Sequence, residues 1–182
     1  MATPESATVI LGLPIPSADP LFLAIVGIHV MFGLAAVVSG VLAMLSSKGR
    51  GRHVRFGTIY FRCLFVVFAT MSAMSFMRWS ADYPLFALGA LSFASGYIGR
   101  AAARGHWPQW PRLHLTGMGA SYILMLTAFY VDNGPNLPLW RELPEIAFWV
   151  LPSVIGGPLI AYALYRHPLV LASGRPRPSD GR

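Results

Sequence analysis

The sequence predicts an all-α integral membrane protein with five transmembrane helices, arranged as two repeated helical hairpins and a kinked fifth helix. Three observations support this fold class. First, 55% of the 182 residues are apolar, only 12% are charged, and the mean hydropathy is +0.56, which is too apolar for a soluble domain of this length. Second, the chain contains five apolar runs of membrane-spanning length. Third, a pattern of small residues followed by a histidine occurs twice.

The five apolar runs are separated by short polar segments. Each run is close to the ~20 residues that cross the hydrocarbon core of a bilayer. Residues 1–19 form an extracytoplasmic arm that lacks the basic segment of a cleavable signal, residues 20–166 form the bundle, and residues 167–182 form a basic cytoplasmic tail. The predicted helices cover residues 21–45, 57–79, 83–103, 114–131 and 146–165.

Positive charges cluster in the loops on one side of these helices. Because loops rich in Lys and Arg stay in the cytoplasm, the N-terminus is predicted to lie outside and the C-terminus inside. The pI near 10.2 does not indicate nucleic-acid binding, because the basic residues lie directly beside membrane helices. We expect anionic lipid headgroups to contact the basic residues around the first loop. These residues are Lys48, Arg50, Arg52, Arg55 and Arg62.

Residues 32–40 and 88–96 carry the repeated small-residue pattern. Each segment is followed by a basic stretch and then by a histidine, His53 in the first copy and His114 in the second. The offset is 56 residues between the segments and 61 between the histidines, so the second loop is longer. An internal repeat is one interpretation, and the alternative is that unrelated membrane helices share a small-residue composition. The predicted repeats cover about residues 21–79 and 83–131.

Glycines within these segments predict how the hairpins pack. Gly33 and Gly40 share one face of helix 1, and Gly89 and Gly96 share the matching face of helix 3. Small residues let membrane helices approach closely. We therefore expect helices 1 and 3 to cross at these glycines, around a pseudo-twofold axis along the membrane normal.

His53 and His114 occupy equivalent positions at the cytoplasmic starts of helices 2 and 4. Two imidazoles at one depth can bind a haem iron axially or contribute to a metal site. The alternative is that they form hydrogen bonds with loop carbonyl groups or lipid phosphates. The single cysteine, Cys63, excludes an internal disulfide and any site built from several thiolates.

His29 lies inside the first apolar run, where an imidazole must find a partner because the surroundings have a low dielectric constant. At a similar depth come Met71 and Met74 of helix 2 and Gly156 and Gly157 of helix 5. These five residues could line one cavity that binds a ligand, a cofactor or a proton. The alternative is a neutral His29 that joins two helices through a hydrogen bond.

Helix 5 contains two prolines, Pro152 and Pro158, on either side of Gly156 and Gly157. A proline inside a helix removes a backbone hydrogen bond. In a membrane the freed groups must be shielded by other helices. We therefore expect helix 5 to be kinked or broken near the middle of the membrane.

An intramembrane histidine, a glycine-rich helix, an Arg-Gly-x-His turn and a Gly-x-x-Tyr sequence resemble an uncharacterised family of small bacterial multispan membrane proteins. The resemblance covers about a third of the chain and implies a multi-pass location in the bacterial inner membrane, without an activity. A more distant similarity is to small b-type membrane cytochromes, which hold haem between histidines. The residues that match the first family are His29, Gly33, Gly40, Arg50, Gly51, His53, Gly57 and Tyr60.

Three functions follow as hypotheses. The first is a protein that binds a cofactor or metal through His53, His114 or His29, such as b-type haem for membrane electron transfer. The second is a transporter or channel for a small molecule or ion, built around the cavity in the middle of the membrane. The third is a structural subunit that forms a homo-oligomer or joins a larger membrane complex, with no cofactor.

Overall fold

The computed structural model describes residues 8–10, 13–15, 19–47, 51–166 and 170–171. In this part of the chain, a short antiparallel hairpin of two strands precedes the helices, and two 3₁₀ segments connect the fourth helix to the fifth. The predicted all-helical bundle is confirmed, whereas the strand hairpin was not predicted. The elements are β1 (Thr8–Ile10), β2 (Leu13–Ile15), α1 (Pro20–Leu45), α2 (Arg52–Met77), α3 (Trp79–Gly105), α4 (Trp110–Asn133) and α5 (Glu145–Arg166).

Four of the described helices are long and apolar enough to cross a membrane, namely α1, α2, α3 and α5. Their outer surfaces carry large apolar side chains such as Met31, Leu34 and Phe65, each more than half exposed. Lipid tails can cover such a surface, which would be an aggregation site on a soluble protein. α4 is long enough at 24 residues but falls outside this group, because serine, threonine, tyrosine and histidine interrupt its apolar sequence.

Both α2 and α4 begin earlier than predicted, by five and four residues. Pro111 suits the first turn of α4, because an N–H group at that position has no partner within the helix. Gly51 has a φ of +108°, which glycine adopts without a Cβ clash, and this lets the chain turn directly into α2. As a result both histidines lie within helices, His53 at a position that was predicted to be in a loop.

The fifth helix is continuous from Glu145 to Arg166. An outright break near Pro152, Gly156, Gly157 and Pro158 is therefore absent, and the predicted kink stays a prediction. Each proline removes only one backbone hydrogen bond, and a neighbouring helix can shield the freed carbonyl. α4 provides such a neighbour, because α5 packs along it.

Each helix packs against the next one in the sequence, and the most extensive pairs are α1 with α2 and α3 with α4. The bundle is therefore two hairpins joined by α2 and α3, with α5 placed against α4. A buried cluster between the hairpins draws on three helices. It contains Ala36 of α1, Tyr60, Cys63 and Leu64 of α2, and Met125 of α4.

The predicted close crossing of α1 and α3 is wrong. A Cβ atom added at Gly33 would meet nothing within 4 Å, and side chains from α2 and α4 fill the space beside the other glycines. A close approach of two backbones occurs instead inside the second hairpin, where Gly99 of α3 meets Gly117 of α4. The neighbours of the predicted crossing residues are Tyr60 and Tyr122 for Gly40, Leu64 and Ser121 for Gly96, and Phe68 and Met71 for Gly89.

Candidate functional site

His53 lies in the first turn of α2 and faces the end of α1. Its Nδ1 atom is 2.9 Å from the carbonyl oxygen of Ala43. A carbonyl oxygen can only accept, so Nδ1 carries the hydrogen and donates it. In the neutral imidazole the lone pair is then on Nε2. The hydrogen bond orients the ring and determines its tautomer.

His114 has the same arrangement in the second hairpin. It lies near the start of α4, and its Nδ1 atom donates to the carbonyl oxygen of Gly99 in α3 across 3.0 Å. Ala43 and Gly99 are separated by 56 residues, and the two histidines by 61. These are the offsets of the sequence pattern. The two hairpins thus hold their histidines with matching hydrogen bonds.

The two imidazole rings are neighbours. Their centroids are 6.0 Å apart and their planes are nearly perpendicular, at 79°. Both side chains are partly exposed at the end of the bundle where α2 and α4 begin. The structure therefore brings His53 and His114 together, as the sequence predicted from their equivalent positions.

A buried polar pair lies about two turns further along the same helices. Tyr60 Oη is 2.8 Å from Ser121 Oγ. Ser121 Oγ donates to the carbonyl oxygen of Met118 at 2.8 Å, so Tyr60 must donate to Ser121. Ser92 of α3 donates to the carbonyl oxygen of Ser121 at 2.7 Å. The hydrogen bond of Tyr60 with Ser121 therefore joins α2 to α4 deeper in the bundle than the two histidines.

His29 is distant from this pair in the chain and bonds to a different partner. Its Nδ1 atom is 2.9 Å from Thr70 Oγ1 of α2. Thr70 Oγ1 donates to the carbonyl oxygen of Val66 at 2.8 Å, so it accepts from His29. Thr70 was not predicted as a partner, although a threonine on an apolar helix can form a hydrogen bond with an intramembrane histidine.

The other residues of the predicted cavity meet separate neighbours. Met71 lies beside Gly89 of α3, and Met74 is buried in the bundle. A Cβ atom at Gly156 would meet Ile123 of α4, and one at Gly157 would meet nothing within 4 Å. A shared cavity with His29 therefore stays a prediction.

The basic residues predicted to contact lipid fall into two groups. Arg52, Arg55 and Arg62 are exposed on α2, as contact with headgroups requires. Lys48 and Arg50 lie outside the described residues. Contact of the first group with lipid stays a prediction.

Within the described ranges, no group of three or more His, Cys, Asp or Glu side chains is placed to hold a metal ion. A metal at the histidine pair would thus take two ligands of these types from the described residues. Comparison of the chain with protein-family models, with curated proteins and with solved structures found no match. A function can therefore be inferred only from the sequence and geometry of this chain.

Proposed function

We propose that this chain is a five-span protein of the bacterial inner membrane that binds a transition-metal ion between His53 and His114. The observation that carries the proposal is the 6.0 Å separation of the two rings. Metal–imidazole bonds are about 2.0–2.1 Å long, so two histidines that share one ion have ring centroids roughly 5–6 Å apart. The observed separation of the rings is therefore compatible with a shared ion.

The hydrogen bonds of the two rings support the same proposal. Histidine ligands commonly donate their second N–H group to a backbone carbonyl or a carboxylate, which fixes the tautomer and orients the ring. Ala43 and Gly99 provide such carbonyl oxygens. Both imidazoles are thus held in the tautomer that has its lone pair on Nε2.

A b-type haem fits this site less well than a single ion. A porphyrin would have to enter between α2 and α4. The buried hydrogen bond of Tyr60 with Ser121 joins these helices about two turns away, so the helices would have to separate. A single ion requires no such separation, and imidazole nitrogen suits copper, zinc, iron and nickel.

The membrane topology rests on the charges. Arg52, Arg55, Arg100, Arg104 and Arg112 lie where α2 and α4 begin and where α3 ends, which we call the basic end. By the positive-inside rule this end faces the cytoplasm. In this proposal α4 also crosses the membrane and brings the number of spans from four to five. It packs against both α3 and α5. The metal site then opens toward the cytoplasm.

The matching hydrogen bonds also support an origin of the two hairpins by duplication. The two histidines are separated by 61 residues, and the residues whose carbonyl groups they bond to are separated by 56. Tyr60 and Ser121 are likewise separated by 61 residues. The contact of His53 with His114 and the contact of Tyr60 with Ser121 thus each join positions that are equivalent under the offset of 61. This arrangement supports a pseudo-twofold axis between the two histidines.

Metal analysis of the purified protein tests the proposal. The wild-type chain should bind about one copper, zinc, iron or nickel ion when titrated in detergent, and a visible absorption spectrum on the same sample would reveal haem. The substitution His53→Asn should abolish binding while the protein stays folded, because the asparagine amide can still donate to Ala43. His53→Ala should lose both the ion and some stability.

His106→Ala is the matched control, since His106 is an exposed histidine at the same end of the bundle. That variant should bind the ion as the wild type does. A wild-type protein that binds none of the four ions, or a His53→Asn variant that binds as tightly as the wild type, would overturn the proposal. If the wild-type protein shows a Soret band that the His53→Asn variant lacks, the ligand is haem and not a single metal ion.

A further inference from the structure

An open groove of about 350 Å³ lies on the outer surface between α2 and the end of α3. It combines two arginines with three aromatic side chains. It lies at the basic end, and neither His53 nor His114 lines it. The lining residues are Phe61, Tyr97, Arg100, Ala101, Arg104 and Trp107.

Arg100 is held in place at this groove. Its guanidinium carbon lies 5.0 Å from the centre of the Phe61 ring, which is a cation–π contact. Both terminal nitrogens are 3.4 Å from Thr58 Oγ1. A guanidinium group has five N–H donors, and a single hydroxyl oxygen can accept from few of them. The group is therefore oriented and has donors to offer to an anion.

The charge around the groove is uncompensated within the described residues. Arg104 lines the same groove, and the next basic residue on α2 is Arg62, which is exposed. At the opposite end of the bundle, arginines pair with acids, as Arg78 does with Asp82 at 3.8 Å. The described acidic residues all lie at that opposite end: Asp19, Asp82, Asp132, Glu142 and Glu145.

The aromatic residues place the groove at the membrane surface. Tyr97 and Trp107 are 58% and 45% exposed, and tyrosine and tryptophan on membrane helices concentrate at the level of the headgroups. Arg100 lies five residues before the end of α3, about 7.5 Å along the axis. An arginine at that depth can reach a phosphate group at the interface.

We infer that this groove binds the headgroup of an anionic phospholipid. Arg100 and Arg104 contact the phosphate, and Phe61 and Tyr97 line the path of the acyl chains. Arginine suits this role because its planar fork can bind phosphate oxygens in a bidentate manner. A free phosphate ion would use the arginines but not the apolar side of the groove. The inference depends on the membrane assignment and is independent of the metal site.

Lipid titration of the detergent-purified full chain tests the inference, with thermal stability and native mass spectrometry as readouts. Phosphatidylglycerol and cardiolipin should raise the melting temperature, and phosphatidylcholine should not. Arg100→Gln and Arg104→Gln should each weaken binding of the anionic lipid roughly tenfold, the effect of one lost charge-assisted contact. Arg100→Lys should also weaken it, because lysine keeps the charge but lacks the fork.

Arg112→Gln is the matched control, because it removes one positive charge from an exposed residue at the same end. It should leave lipid binding close to that of the wild type. Equal weakening in Arg112→Gln and Arg100→Gln would overturn the proposed groove in favour of general surface attraction. Inorganic phosphate that stabilises the protein as much as the lipid does would overturn the assignment to a lipid.

Discussion

Tyr60 of α2 donates a hydrogen bond to Ser121 of α4 across 2.8 Å, and this contact joins the two hairpins at their buried centre. The exposed fraction is 2% for Tyr60 and 0% for Ser121. The Ser121 hydroxyl group itself donates a hydrogen bond to the carbonyl oxygen of Met118. Ser121 is thus the acceptor for the Tyr60 hydroxyl hydrogen, whereas Ser121 also has the Met118 carbonyl oxygen as a partner. The two residues should therefore respond differently to substitution.

Ser121→Ala should destabilise the protein more than Tyr60→Phe. The alanine leaves a buried phenol O–H without its acceptor, which costs about 1–3 kcal/mol. The phenylalanine removes the whole donor and leaves Ser121 bonded to Met118, which costs about 0.5–1.5 kcal/mol. Denaturant unfolding in detergent measures both free energies. The reverse order would contradict the donor assignment.

The histidine pair could be predicted from the sequence because its signal is local. His53 and His114 each follow a small-residue helix and a basic turn, and antiparallel hairpins bring two such turns to one end of the bundle. The hydrogen-bond partners could not be predicted. Ala43 and Gly99 contribute only backbone carbonyls, and a backbone group leaves no mark in the side-chain pattern.

The packing of the hairpins was predicted less well, because small residues show that a helix face is close to a neighbour but not which neighbour. Gly40 and Gly96 do lie in tight contacts. The side chains of Tyr60 and Tyr122 fill the space beside Gly40, where a direct contact with α3 was expected. The spacing of glycines on α1 and α3 does not indicate that a tyrosine from another helix fills the space beside them.

Gly99→Ala and Gly117→Ala should each destabilise the protein. A Cβ atom at Gly99 would lie 2.9 Å from the backbone nitrogen of Met118, and one at Gly117 would lie 2.7 Å from the carbonyl oxygen of Ser95. Backbone atoms cannot rotate away, so α3 and α4 must separate, at a cost of about 1–3 kcal/mol. The double substitution should cost less than the sum, because one separation relieves both clashes.

Gly33→Ala and Gly157→Ala are the matched controls for the glycine pair. At both positions a Cβ atom would meet nothing within 4 Å. Alanine favours helix over glycine by about 0.8–1.0 kcal/mol in water, so stability should be unchanged or higher. Thermal unfolding in one detergent compares all four variants. Equal losses at the two pairs would show that α3 and α4 do not meet at Gly99 and Gly117.

Replacing Thr70 with valine should destabilise the protein through His29. The hydroxyl accepts from His29 Nδ1 at 2.9 Å, and valine removes that acceptor and leaves the Val67 backbone as the remaining partner of the ring. Hydrogen bonds between membrane helices are worth about 0.6 kcal/mol on average and up to about 1.7. Thr70→Ser keeps the hydroxyl and is the control. If unfolding shows the serine and valine variants to be equally stable, the hydrogen bond of His29 with Thr70 does not stabilise the contact of α1 with α2.

Acidification should release the metal ion that we propose between His53 and His114. A histidine ligand must be neutral, so protons compete with the metal for each Nε2 atom. Binding should therefore be strongest at neutral to alkaline pH and weaken steadily as the pH falls. Equilibrium dialysis across a pH series, followed by metal analysis, measures this. Retention of the ion at acidic pH would indicate ligands other than these histidines.

Cysteine labelling tests whether α4 crosses the membrane. The only native cysteine, Cys63, is buried, so labelling of the unmodified chain should be low. Gln109 precedes α4 and Asn136 follows it, and both are exposed. In intact spheroplasts, a membrane-impermeant maleimide should label Asn136→Cys and spare Gln109→Cys, because five spans put these residues on opposite sides of the bilayer.

Ser47→Cys and Ser80→Cys provide references for the two sides. Both serines are exposed, Ser47 after α1 and Ser80 in the first turn of α3. In the proposed topology Ser47→Cys is protected and Ser80→Cys is labelled, and permeabilised cells label both. Gln109→Cys should then behave like Ser47→Cys, and Asn136→Cys like Ser80→Cys. If Gln109→Cys and Asn136→Cys react alike in intact spheroplasts, α4 does not span the bilayer, because a span must separate its two ends.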